Sequence, residues 1–150
     1  MKHVLMIAFA LGAVLLVAAG CGGGGKPAEN KGGGGDSDKI SRPEPTGDYK
    51  GKTNPTPDAV EEGKKLFETH CVTCHGPNGD GDSPVGSTLK PPASDLTDVK
   101  LQDAIGDDYI FWRISEGGKA LNYDGMTPFK DSLKEEQRWQ LVAYVRSLKK

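Results

Sequence analysis

Cysteine, methionine and histidine are scarce in this chain of 150 residues, with three of each. Three thiols cannot build the disulfide framework that staples a small secreted scaffold. Positive charge is not in surplus either: 19 Lys and Arg stand against 21 Asp and Glu, scattered rather than gathered into a stripe. That argues against nucleic acid as a partner. Length for a second domain is also lacking, because Gly and Pro crowd the first third and leave material for one small core. Nowhere do apolar and polar residues alternate convincingly at the period of two that marks a half-buried strand, so the expected class is all-α.

The one long apolar run covers residues 4–19, follows Lys2 and ends at Gly20-Cys21. This is the layout of a secretory signal. A permanent transmembrane helix is the competing reading, but the run falls short of the ~20 apolar residues a bilayer span needs. The segment Ala18-Ala19-Gly20-Cys21 resembles the lipobox of bacterial lipoproteins. That resemblance implies removal of residues 1–20 and a lipid on Cys21, holding the chain to a membrane on its extracytoplasmic, periplasmic side. Gly22 behind the lipid site favours the outer membrane if Gram-negative sorting rules apply. From 21 to 55 the chain consists of Gly runs at 22–25 and 32–35, scattered charges, and Pro43, Pro45 and Pro55. Such a composition buries no core and is expected to be a linker. About 35 flexible residues give a root-mean-square reach of roughly 30–35 Å.

A folded domain is expected over 56–150. Thr56-Pro57-Asp58 offers an N-cap, a Pro at the first helical position and an acidic first turn. The helix that follows places Val60, Gly63, Leu66, Phe67 and Cys71 on one stripe. Gly63 is unusual mid-helix, where Gly costs ~1 kcal/mol relative to Ala, and a close helix crossing would explain it. Ser132-Leu133-Lys134-Glu135 reads as a capping box before a terminal amphipathic helix carrying Trp139, Leu141, Val142, Tyr144, Val145 and Leu148. Asp107 can cap a third helix through Trp112, stopped by Gly117-Gly118. Two long loops remain, 76–92 and 117–129, and loops of that length in a small domain need an organiser.

The organiser is legible at Cys71-Val72-Thr73-Cys74-His75. Two thiols three apart, with His immediately after, match the pattern of covalent c-type haem attachment. A zinc half-site would need further Cys or His ligands, and the remaining His are His3, in the signal, and the adjoining His70. A redox dithiol would want a βαβ context that is absent. With Cys21 lipidated and Cys71 and Cys74 on the haem, no thiol remains for a disulfide.

From about residue 57 to 150 the chain resembles a class I cytochrome c domain. The marks are Gly63, Phe67, the pentapeptide 71–75, Met126-Thr127-Pro128-Phe129, Leu141 and Tyr144; the loop 76–82 and the stretch 89–96 resemble small bacterial monohaem cytochromes. The resemblance implies one covalent haem c, first and last helices crossing at Gly63, and a Pro carbonyl, Pro91 or Pro92, accepting from His75. His75 and Met126 are the expected axial ligands. Elimination points the same way for Met126, since Met1 and Met6 leave with the signal and His70 leaves the same helix end as His75. Trp112, Arg113, Tyr123 and Trp139 are propionate candidates by residue type. His/Met ligation fills both iron positions, which suits electron transfer and no small-molecule substrate. The expected partners are membrane-bound redox proteins as donor and acceptor, in a respiratory chain. Residues 57–150 carry 12 Lys and Arg against 16 Asp and Glu, a net charge of −4 that favours a basic partner. A fixed haem c subunit of a quinol-oxidising or terminal oxidase complex is the alternative. A haem enzyme or gas sensor would need an open iron site.

Overall fold

The first helix does not start at the Thr56-Pro57 signal. In the computed structural model, which describes residues 42–150, the Asn54 Oδ1 accepts from the Thr56 N–H at 2.8 Å and the Ala59 N–H reaches the Thr56 carbonyl. A turn therefore comes first, and α1 runs over Val60–His70 with Glu61 and Glu62 at its positive end. Its ladder is interrupted at Cys71, and α2 follows at once over Val72–His75. The signal at 1–20, the lipid site Cys21 and the linker as far as residue 41 lie outside the described residues.

The helix α3, Val99–Ala104, was not anticipated; it is capped by Asp98, whose Oδ1 accepts from the Lys100 N–H at 2.9 Å. The next helix, α4, covers Asp107–Glu116, but Gly106 is its N-cap. Asp107 is its first residue, not its cap, because the Arg146 Nε holds that carboxylate at 2.7 Å. The last helix, α5, covers Glu135–Ser147. Its expected box at 132–135 is displaced by two residues, since the Ser132 and Leu133 N–H groups close a turn on the Phe129 carbonyl. Lys134 becomes the N-cap, and its N–H donates to the Gln137 Oε1 at 2.9 Å. Among the described residues there are five α-helices, three short 3-10 turns and no strand.

The core forms where α1 crosses α5. A Cβ placed on Gly63 would lie 2.0 Å from the Gln140 carbonyl oxygen and 2.8 Å from the Tyr144 Cβ, so only Gly permits this approach. Below the crossing Phe67 meets Tyr144 at 5.1 Å between ring centres. Behind α5, Trp139 stacks on Phe111 at 3.9 Å and 7°, which draws in α4. Phe67, Phe111, Leu141 and Val142 are fully buried, each contributing about 1.5–3 kcal/mol of apolar burial. Arg146 also donates to the Gln102 and Ile105 carbonyls, both at 2.7 Å, and so satisfies the C-terminal end of α3.

The expected linker ends earlier than residue 55. Segment 42–54, with a 3-10 turn at Gly47–Tyr49, lies against the outer side of α4 and α5. Tyr49 packs on Phe111 at 5.8 Å and its hydroxyl donates to Glu116. The Gly51 N–H donates to the Asp108 Oδ2 and the Asn54 Nδ2 to the Trp139 carbonyl, at 2.8 and 3.1 Å. One Tyr with a surface to pack on overrides a local composition that reads as disordered.

Candidate haem site

Covalent attachment needs two thiols, two turns of backbone and an imidazole brought to one place, and the break at Cys71 accomplishes this. The Cys71 N–H closes α1 on the Phe67 carbonyl, while the Cys74 and His75 N–H groups turn back to the Cys71 carbonyl. Cys71, Cys74 and His75 then line a single cleft. Burial, and next the neighbouring Cys74, push the Cys71 thiol up to about 12.

His75 is oriented by the loop after α2. Its Nδ1 faces the Ser94 carbonyl at 3.2 Å, leaving Nε2 as the nitrogen free for a metal. The expected acceptor was Pro91 or Pro92; both line the cleft, but Ser94 takes the bond. The reason is the way the loop is knitted. The Gly81 N–H donates to the His75 carbonyl, the Leu96 N–H to the Gly79 carbonyl at 2.7 Å, and the Ala93 N–H to the Gly86 carbonyl at 3.0 Å. Ser83 Oγ completes the fastening, donating to the Cys74 carbonyl at 2.8 Å and accepting from the Gly86 N–H. These bonds swing residues 93–96 beside the ring, beyond the two prolines. Burial holds the His75 imidazole below its ordinary range, opposed by the bond to Ser94 and assisted by the charge of Arg113.

The second long loop carries Met126 into the same cleft. Gly117 closes α4 on the Arg113 carbonyl with φ +65, and a Cβ there would lie 2.5 Å from the Met126 carbonyl oxygen. The Gly118 N–H donates to that same oxygen at 2.7 Å, and the Phe129 N–H to the Ile114 carbonyl at 3.0 Å. Met126 is thus fastened by its backbone to the end of α4, and its side chain lines the cleft with the sulfur 4.0 Å from the Arg113 Nη2. His70 also lines the cleft, exposed, with its ring edge on Phe129 at 5.7 Å.

The four propionate candidates divide in two. Arg113 and Tyr123 line the cleft, and their side chains are hydrogen-bonded. Trp112 and Trp139 are core residues, Trp139 in the stack on Phe111. Arg113 is only 8% exposed, and its partners are the Gly117 carbonyl, the Tyr123 hydroxyl and, at 4.0 Å, the Met126 sulfur. Among the described residues it has no carboxylate partner. A buried guanidinium without an anion is costly.

A haem fits what is present. The walls of the cleft are apolar, with Phe67, Leu89, Leu96, Leu101, Ile110 and Leu141 among them, as a porphyrin face requires. Two thiols, the imidazoles of His75 and His70 and one thioether line it, and Arg113 answers the need of a carboxylate for a cation.

Comparison with known proteins agrees. The KustC0563 c-type cytochrome is 35% identical with a TM-score of 0.51, over 59% of this chain and 98% of that one. A chain of the Kuenenia stuttgartiensis reducing HAO-like protein complex Kustc0457/Kustc0458 is 27% identical with a TM-score of 0.55, over 76% of this chain and 54% of that one. Cytochrome cL from Methylophaga aminisulfidivorans is 25% identical with a TM-score of 0.47, over 63% and 55%. This chain spans about half the length of the latter two. No curated protein matches it. Residues 60–149 match the cytochrome c family, so the cleft between α1, α4 and the two long loops belongs to a member of the cytochrome c family, electron-transfer proteins that hold haem covalently.

Proposed function

We propose that the chain is a membrane-tethered electron carrier with a single haem c, axially held by His75 and Met126, working between membrane-bound redox proteins of a respiratory chain. The observation that carries this is the convergence of His75 and Met126 on one cleft, each fixed by backbone bonds of its own loop. When bound, the haem supplies a one-electron iron couple. The chain's residues do the rest. Cys71 and Cys74 would hold the haem through thioether bonds, and Ser94 keeps the His75 Nδ1 proton in place. Gly118 keeps Met126 over the cleft, and the apolar walls exclude water. A soft thioether together with a neutral imidazole favours the reduced state and raises the potential. Lipid on Cys21 would confine the carrier to a membrane surface, with a reach set by the segment before residue 42.

A second reading, a haem subunit held permanently in a larger complex, is favoured by the likeness to a chain of the HAO-like complex. Gentle detergent extraction of native membranes separates the two. A carrier migrates alone after size-exclusion chromatography, whereas a subunit co-elutes stoichiometrically with large proteins. The spectrum of the reduced protein under carbon monoxide tests the iron site: slow or no binding supports a filled sixth position, and rapid binding reopens the enzyme-or-sensor reading.

A further inference from the structure

Only two Arg or Lys side chains are found among the described residues that line the cleft: Arg113, from α4, and Arg42, from the segment ahead of the domain. Tyr109 lines the same cleft, where burial raises its hydroxyl above the ordinary range and the charges of Arg113 and Arg42 both pull it back. Tyr123, bonded to Arg113, lines the cleft too. The segment that brings Arg42 there is held at four points. These are Tyr49 to Glu116, Tyr49 against Phe111, Gly51 to Asp108, and Asn54 to the Trp139 carbonyl.

A haem has two carboxylates at its edge, and in an apolar cleft each needs a cation. Arg113 alone, already bonded to Gly117 and Tyr123, has limited donors left. We propose that Arg42 is a positioning residue for the haem: the end of the tether brings its guanidinium to the haem carboxylates beside Arg113, which couples docking of segment 42–54 to the haem potential. The inference rests on the reading that the haem occupies this cleft. Its consequence is reciprocal. A cation near the iron stabilises the reduced state, and an added electron correspondingly tightens the docking of the segment.

The test uses the full chain with its haem, purified in mild detergent, and reads the reduction potential. Arg42→Gln should lower it, shifting the redox equilibrium about tenfold, which is 59 mV for one electron. Arg42→Lys keeps the charge and should retain most of the parent potential. Lys50→Gln removes a charge from the same segment, but Lys50 is exposed and paired with Glu44 at 3.3 Å, so the potential should stay where it is. Tyr49→Ala, which loosens the segment, should lower the potential in the same direction, and its effect should not add to that of Arg42→Gln. The idea is overturned if Arg42→Gln leaves the potential at the parent value, if it shifts it no more than Lys50→Gln, or if the two losses add fully. Should Arg42→Gln fail to mature, Arg42→Lys and Tyr49→Ala carry the same test. Haem that survives denaturing electrophoresis is scored alongside. Its presence with an unmoved potential overturns the role of Arg42 alone, while its absence from the parent overturns the haem reading itself.

Discussion

At the scale of single residues the proposed iron site depends on one sulfur. Met126 has no substitute, since the other two methionines, Met1 and Met6, lie in the expected signal, and its backbone is fastened independently of its side chain. Met126→Ala should therefore open the iron without unfolding the protein. Loss of a ligand that favours the reduced state should lower the potential by at least about 100 mV, roughly 2 kcal/mol at 59 mV per 1.4 kcal/mol. Rapid carbon monoxide binding should appear with it; an unchanged potential and spectrum would remove Met126 from the iron. Cys71, Cys74, His75 and Met126, which the fold brings to one cleft, stood out as candidates in the sequence because the first three form a local motif and Met126 is the one Met outside the expected signal. Ser94 was not, because it contributes a carbonyl, which every residue has. Its selection over Pro91 and Pro92 depends on how the loop is tied by Gly79, Gly81 and Gly86.

At the scale of elements the α1–α5 crossing is the tightest joint. Gly63→Ala gains ~1 kcal/mol of helix propensity, but the added methyl meets a backbone oxygen that cannot rotate away, and overpacking of that kind costs about 1–3 kcal/mol. Overpacking should win. The denaturant midpoint of the holoprotein should fall, with the slope unchanged, and a midpoint equal to or above the parent's would show that the helices can separate at little cost. The docked segment makes a different prediction. The hydrogen bond from Tyr49, with a further one from Lys130, holds the Glu116 carboxyl below its ordinary range against partial burial. A lowered folded-state value means a contribution present above the unfolded value of about 4.3 and lost as pH falls through the lowered one. Tyr49→Phe should accordingly destabilise the fold at pH 7 by less than about 1 kcal/mol at this partly buried site, which a lower melting temperature would report. The difference should shrink as the pH falls through the acid range, and because Phe keeps the ring on Phe111, a pH-independent difference would show that the hydroxyl does not act through the Glu116 charge.

For the whole molecule, the proposed anchor and the fold are expected to be separable, because Cys21 lies ahead of the described residues while Cys71, Cys74, His75 and Met126 lie within them. Cys21→Ser should release a soluble cytochrome with the parent spectrum if the signal is still removed. Fractionation checks it, and persistence in the membrane through an alkaline carbonate wash would point to residues 4–19 as an uncleaved helix. No helix of the described residues is long and apolar enough to cross a membrane.

Local chemistry is what the sequence determined by itself. The pentapeptide 71–75 and the helical periodicity of α1, α4 and α5 each depend on neighbours within a turn or two, whereas Gly63 was legible only as an anomaly whose partners, Gln140 and Tyr144, lie on another helix. Helix starts were less legible. Asp107 and Ser132 both look like caps, yet Asp107 is taken by Arg146 from 39 residues away and Ser132 by the preceding turn. Tertiary structure alone decided that the last dozen residues of an apparent linker dock on Phe111 and send Arg42 to the cleft. It also decided that Arg113 and Tyr123 face the haem site while Trp112 and Trp139 fill the core. Residue type states what a side chain can bond to; which partner it meets is set by packing between segments far apart in the chain.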